Sequence, residues 1–438
     1  MPRSKCTTKL RTFQEILGDV VREANARCQF SQRKRECDAE TFVQTLVFGW
    51  LEKPGASLEQ LATTAQELGC QITKQGLDQR INPRAVVFLA YVLAECLRRL
   101  RLTQSLPIAV LARFAGVYIT DSTQIKLPDL LVAEFPGSKP SYAMVKWQVT
   151  MEYLQGIVVT IQWEDGKEPD QKCSLPVDWA QKGSLQLFDL GYFKQERLGE
   201  IAQKEAYFVC RYQSQTAIYD PDTGERIALA RRLRRPVGAA VELFCLLGRK
   251  QRLPVRLIAR RLPRQEAAQR RRKARKKAKQ QGKACTKTYL QLLGWEILVT
   301  NLPAADYPPA LVFALYGIRW QIELVFKTWK SQLKVALIGH WRAERVLGQL
   351  YAILIGCVLC HWWTGDYRWW KQGEQSMTRM IQSIQRHIPK ILRCIARQWY
   401  GSGQIFKQIE GDFLRHARKE KRKKSPSTLQ TLMNWGLS

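Results

Sequence analysis

Tyr316, Arg319, Glu323 and Lys330 lie in the stretch YGIRWQIELVFKTWK, separated by three, four and seven residues. A continuous helix advances about 100° per residue, so they project near 0°, −60°, −20° and −40°. One carboxylate, two cations and a phenol then share a sector of roughly 60°. Leu315, Ile322, Phe326, Trp329 and Leu333 fall in the adjoining sector, between roughly −80° and −140°, where a core would take them. Such a stripe has two chemical readings. It is an exposed ladder of ion pairs, worth about 0.2–0.5 kcal/mol each, or a metal-binding carboxylate flanked by cations that grip phosphates.

The second reading needs further carboxylates held rigidly. Asp121 and Asp189 each follow a short apolar run, in GVYITD and SLQLFD, that reads as a strand ending at the acid. A strand end points a side chain from a sheet into a cleft. Two strand-borne aspartates and one helix-borne glutamate supply the oxygen ligands that two divalent cations require. A metal pair of this kind activates a water or 3′-hydroxyl and stabilises the leaving oxygen of an in-line phosphodiester attack.

Net charge agrees with a polyanionic partner. The chain carries 70 Lys and Arg against 38 Asp and Glu, a formal charge of +32, with a pI near 9.9. That is the electrostatic footprint of a protein that works on a polyanion, nucleic acid above all, with a generally basic proteome or an anionic membrane as the alternatives. At 438 residues and 45% hydrophobic, several packed domains are expected. The first thirty residues are charged throughout and carry no export signal, so the twelve cysteines read as free thiols of a reducing cytosol. CVLCH, from Cys357 to His361, has the spacing of a haem attachment site but sits inside an apolar run. That run, Val346 to Trp363, reads as a buried helix rather than a membrane span. No GxxxxGK[ST] loop occurs, so nucleotide hydrolysis is not expected and no nucleotide partner is implied.

The chain divides into five expected regions: 1–105, 106–212, 213–293, 294–375 and 376–438. The first is helical. Ser57 reads as an N-cap, Gly69 as a stop, and ITKQGLDQRINP as a second short helix that could lay Lys74 and Arg80, with Arg84 nearby, against DNA. A plain helical bundle is the alternative. Region 106–212 alternates strands and a helix, which implies an α/β core. Region 213–293 is β-rich and holds a basic segment from Arg260 to Lys283, with twelve cations, Arg272 and Lys276 among them, against the single acid Glu266. So one-sided a helix suits phosphates better than solvent alone. A strand resumes at Ile297, and the segment from Pro308 to Lys334 reads as helical. The last region is an amphipathic helix followed by a basic tail.

The motif Y-x2-R-x3-E-x6-K resembles the signature of bacterial insertion-sequence transposases of the DDE class. TDST at Asp121 and DLGYF at Asp189 are similar to the first and second acidic motifs of that group, in the same order. VTNLP resembles a phrase found just before its glutamate helix. The resemblance covers roughly residues 40–375. It implies an RNase H-like catalytic core, interrupted by the β-rich insertion, with an all-α N-terminal DNA-binding region and a helical C-terminal region. It further implies Asp121, Asp189 and Glu323 as catalytic ligands of two Mg²⁺ ions, with Mn²⁺ as substitute. Tyr316, Arg319 and Lys330 would hold the transposon end. Some relatives stack a tryptophan on a flipped base during hairpin excision, and Trp295 lies at the corresponding place; a core tryptophan at a strand edge is the alternative. Leu190 departs from the commonest form, where arginine is frequent.

The resemblance thus implies cut-and-paste transposition at inverted-repeat ends in the bacterial cytoplasm, close to the nucleoid. Double-stranded DNA is the expected partner, with a homodimer across two ends and no membrane. A catalytically idle DNA-binding relative is the rival reading, against which the intact acids and stripe residues argue.

Overall fold

The computed structural model describes residues 5–31, 37–100, 108–233, 240–370, 373–419 and 426–435. The expected boundary at 105/106 and much of the basic tail lie outside them. The chain forms two compact units. One comprises residues 1–106, 122–168 and 323–423; the other comprises 107–121, 169–322 and 424–438. Two elements cross from one unit to the other: the first strand, between Asp121 and Ser122, and the helix Trp320–Ser331, between Ile322 and Glu323.

In chain order the strands are β1 (Val117–Lys126), β2 (Met144–Glu152), β3 (Ile157–Asp165), β4 (Leu185–Phe188), β5 (Tyr207–Arg211), β6 (Ile218–Tyr219), β7 (Ala240–Leu247), β8 (Leu253–Arg261) and β9 (Trp295–Thr300). In the second unit they run in the order β1-β4-β5-β9-β8-β7-β6. β1, β4 and β5 are parallel, while β5, β9, β8, β7 and β6 pair antiparallel. Parallel neighbours need a crossover, and the helix Gln195–Gln203 provides the one between β4 and β5. Every residue of β4 is buried, as a central strand covered on both faces requires. The insertion strands β7 and β8 continue the hydrogen-bonded ladder of β9, so the β-rich region extends the same sheet. The Pro-Asp-Thr-Gly sequence after β6 turns a short hairpin, bridged from Tyr219 to Arg226 and closed by the Asp220 and Ile227 N–H groups donating to Glu225 and Ile218 at 2.9 Å each.

A buried arginine fixes the segment that follows β9. Arg256 donates to the Glu242 carboxylate at 2.6 Å and to the carbonyls of Leu302 at 2.6 Å and Tyr307 at 2.9 Å. Burying a guanidinium is tolerable only with its donors satisfied in this way. The helix Pro309–Gly317 starts from this anchored segment.

The first unit carries β2 and β3 beside the second half of β1, in the order β3-β2-β1. They form a hairpin turning at Gly156, whose φ of +62° favours glycine. Among the helices that precede them are Ala39–Glu52, Leu58–Glu67, Lys74–Arg80 and Pro83–Arg99. Ser57 and Gln60 form a reciprocal capping box on the second, and Gly69 turns the chain with φ +86°. The helix Ala343–Gly365 is apolar and long enough to span a membrane, yet 89% of its most apolar window is buried inside the protein. It packs against Ala39–Glu52 and Pro83–Arg99. Gly356 permits the first approach, because a Cβ there would come within 2.9 Å of the Leu51 side chain.

Two expectations are corrected. β1 does not stop at Asp121 but runs on to Lys126. The helical segment expected from Pro308 to Lys334 is interrupted by a turn between Pro309–Gly317 and Trp320–Ser331. In that turn Ile318 and Arg319 donate three residues back, to Leu315 at 3.0 Å and Tyr316 at 3.1 Å. Three-residue hydrogen bonds wind tighter than an α-helix, so the projection onto one continuous helix shifts across Arg319.

Candidate active site

The register of three parallel strands decides what the second unit gathers. Thr120 pairs with Phe188 across β1 and β4, so Asp121 and Asp189 occupy the next rung. Leu187 pairs with Val209 across β4 and β5, which sets Arg211 level with Asp189. Neighbouring strands lie about 4.8 Å apart and residues of one rung face the same side. Two carboxylates and a guanidinium thus stand in a row where β4 and β5 end.

The turn after Asp189 is held from below. Tyr192 and Phe193 close it by donating to the carbonyls of Asp189 and Leu190 at 3.1 Å each. Tyr192 is fully buried beside the Phe188 ring. A Cβ at Gly191 would lie 3.0 Å from the Asp170 carboxylate, which would have to shift to admit it. Arg197 lies buried beneath, donating to the carbonyls of Tyr192 and Cys173 and, at 2.9 Å, of Gln171. Burial lowers its pKa.

Arg319 Nη1 donates to Asp121 Oδ2 at 3.0 Å, with the side chains only 13% and 17% exposed. Tyr316 is 8% exposed, and its hydroxyl is buried without a hydrogen-bond partner. Desolvation raises the phenol's pKa far above its usual value; the cations Arg319 and Arg211 oppose this and Asp189 adds to it. Those influences place Tyr316 among Asp189, Arg211 and Arg319. Sequence reasoning missed Arg211 because strand register, which sets it level with the aspartates, is a property of the folded sheet.

Trp295, 9% exposed, opens β9 opposite Arg261 of β8. It lines a cleft of about 940 Å³ together with Arg231, Arg264, Arg271 and Gln291. Arg272 and Lys276 project into solvent from the helix Arg264–Gln280. That helix is anchored by Ala267 and by Arg271, which donates to the Leu290 carbonyl at 2.9 Å.

Glu323 and Lys330 belong to the first unit. Glu323 is half-buried on the first turn of its helix. Lys330 reaches solvent, and partial burial lowers its pKa. Among the described residues no group of three or more His, Cys, Asp or Glu is drawn together closely enough to hold a metal ion. Lys74 is exposed on the helix Lys74–Arg80. Arg80 is placed otherwise: it donates to the Cys37 carbonyl at 2.7 Å and lies over the Phe30 and Phe42 rings at 5.2 and 5.5 Å. Cys357, Cys360 and His361 are buried in the core helix, where desolvation raises both thiols and lowers the imidazole to about 3.

Residues 112–359 match the family described as Transposase DDE domain. The chain is 25% identical to the transposase for insertion sequence element IS231B of Bacillus thuringiensis subsp. berliner, over 94% of this chain and 93% of that one. It is 26% identical to the transposase for insertion sequence element IS1151 of Clostridium perfringens, over 90% of this chain and 89% of the other. A cryo-EM structure of the piggyBac transposase synaptic complex with hairpin DNA aligns over 95% of this chain and 87% of its own, with a TM-score of 0.48 and 10% identity. The matched family spans more than half of the chain, and the chain belongs to it: it is a DDE transposase of the insertion-sequence class, an enzyme that cleaves and transfers DNA strands.

Proposed function

We propose that this transposase moves its element by cut-and-paste, with Asp121, Asp189 and Glu323 as the carboxylates of an RNase H-like centre. The observation that carries the reading is the rung shared by Asp121, Asp189 and Arg211, with Arg319 on Asp121. Two aspartates side by side, beside a buried phenol without a partner, suit hard divalent cations as oxygen donors. Asp121, Asp189 and Glu323 would be the ligands of two Mg²⁺ ions, or Mn²⁺, and such ions when bound would supply activation of the attacking oxygen and charge stabilisation of the leaving one.

The remaining assignments concern this chain's own side chains. Arg319 and Arg211 offer guanidinium forks to the phosphates of a transposon end, and Lys330 a point charge. Tyr316 offers a neutral hydroxyl, since its raised pKa keeps the proton in place through ordinary pH. Arg272 and Lys276 follow the backbone of flanking DNA, as their exposure on a one-sided helix suggests. Trp295, in its arginine-lined cleft, would stack on a base displaced during hairpin formation. Lys74 contacts duplex DNA, and Arg80 supports the same helix from its inner side. Two ends must be cut together, so the working form is a homodimer on paired inverted repeats.

An end-cleavage assay with Mg²⁺ tests the reading. Wild type nicks the element's terminal sequences, and Asp189→Asn or Glu323→Gln lowers the rate by roughly three orders of magnitude or more. No nicking by wild type, or undiminished nicking by the variants, returns the chain to the catalytically idle DNA-binding reading.

A further inference from the structure

In the first unit the helix Lys74–Arg80 is joined to the segment that enters the core helix Ala343–Gly365. Arg342 Nη1 donates to Asp78 Oδ2 at 3.1 Å, and Arg345 Nη1 donates to Asp78 Oδ1 at 2.9 Å. Arg342 Nη2 also donates to the Ile81 carbonyl at 2.8 Å, closing the end of the short helix. Both oxygens of one carboxylate are therefore held by two arginines of a distant part of the sequence. The faces of Lys74, Gln75 and Gln79 remain turned to solvent, while Leu77 is buried.

The same joint orders an exposed aromatic. The Arg342 backbone N–H donates to His340 Nδ1 at 3.1 Å, which fixes the imidazole. Trp341 lies against that ring at 5.7 Å with an interplanar angle of 11°, yet remains 62% exposed. Just upstream, the side chain of Leu337 seats this segment against Gly55. A large exposed ring backed by its neighbour offers a stacking surface, because part of its ordering cost is met before a partner arrives.

We propose that the helix Lys74–Arg80 and the His340–Trp341 segment form one continuous surface for the duplex DNA of the element's ends, with Asp78 as its joint. It rests on the reading of this chain as one that binds those ends. Lys74 supplies a backbone contact, Gln75 and Gln79 carry the amides that suit base edges, and Trp341 lays its ring against a base step or sugar. Charge selects nucleic acid as the occupant: Lys74 stands exposed on the joined helix, and the chain carries a formal charge of +32, complementary to a polyanion.

The test is equilibrium binding by fluorescence anisotropy, in EDTA, of duplexes carrying the element's terminal sequences against scrambled duplexes of the same composition. Trp341→Ala, at an exposed position, keeps the wild-type melting temperature and loses roughly tenfold in affinity for terminal duplex, within the range of one lost aromatic stack. Its dependence of log K on log salt keeps the wild-type slope, whereas Lys74→Ala lowers that slope by about 0.9. Terminal-duplex affinity of Trp341→Ala equal to wild type overturns the proposal. So does a change in its DNA-free oligomeric mass with DNA affinity intact, which would assign the ring to a second copy. Asp189→Asn, run in parallel, binds as wild type while losing nicking, so a failed surface and a failed catalytic reading are told apart.

Discussion

Arg319 and Asp121 form a salt bridge of 3.0 Å with both side chains largely buried. The guanidinium that would grip a phosphate therefore rests on a carboxylate that would hold a metal. A divalent ion that needs Asp121 competes with Arg319, and a phosphate that draws Arg319 away frees Asp121, so the two binding events favour one another. The prediction is that Arg319→Ala raises the affinity of the DNA-free protein for Mn²⁺ by about fivefold, the equivalent of an ion pair worth roughly 1 kcal/mol. The same variant loses end cleavage. Titration followed by electron paramagnetic resonance gives the answer, and an unchanged Mn²⁺ affinity would refute the competition.

Arg197 serves three carbonyls beneath the turn that follows Asp189. Arg197→Met leaves those acceptors buried without donors, at about 1–3 kcal/mol for each group lost. Thermal unfolding should show a large drop for Met and a smaller one for Lys, which retains one donor group but not the fork. Equal melting temperatures for all three proteins would count against the anchor.

His361 is 2% exposed and its imidazole is lowered to about 3, chiefly by burial. The unfolded chain takes up a proton near pH 6.5, while the folded protein resists it until about pH 3. The unfolded state binds more protons in that window, so stability is full above pH 6.5 and falls as pH drops toward 3, by about 1.4 kcal/mol per unit. Replacing His361 with leucine should flatten urea midpoints between pH 6.5 and 4. A slope identical to wild type would show that other groups govern acid unfolding.

Trp295 lines the arginine-rich cleft. Its replacement by alanine is expected to abolish hairpin product while first-strand nicking largely persists, read on a denaturing gel with end-labelled substrate. Equal hairpin yield by the variant would remove the stacking role.

Arg272 and Lys276 stand exposed on one basic helix. Removing both should lower the slope of log K against log salt by about 1.8, two phosphate contacts at about 0.9 each. Specificity between terminal and scrambled DNA should be unchanged, because phosphate contacts carry no sequence.

The sequence by itself determined the local elements and singled out the acids proposed as ligands. Ser57 and Gln60 specify their capping box, Gly156 the β2–β3 turn, and the apolar run after Val346 a buried helix, because each signal is carried by neighbours along the chain. The order of the acidic motifs sufficed to suggest the family. Three other things were decided only by tertiary structure. Register across β1, β4 and β5 placed Arg211 level with Asp121 and Asp189, since pairing between strands is fixed by packing rather than by adjacency. The turn at Ile318–Arg319 interrupted the expected helical segment, because turn geometry there overrides a pattern whose apolar period is continuous. Arg80 turned inward and Trp341 outward, although composition suggests the reverse: a half-buried guanidinium meets a carbonyl and two rings, and a ring that lies against its neighbour stands in water.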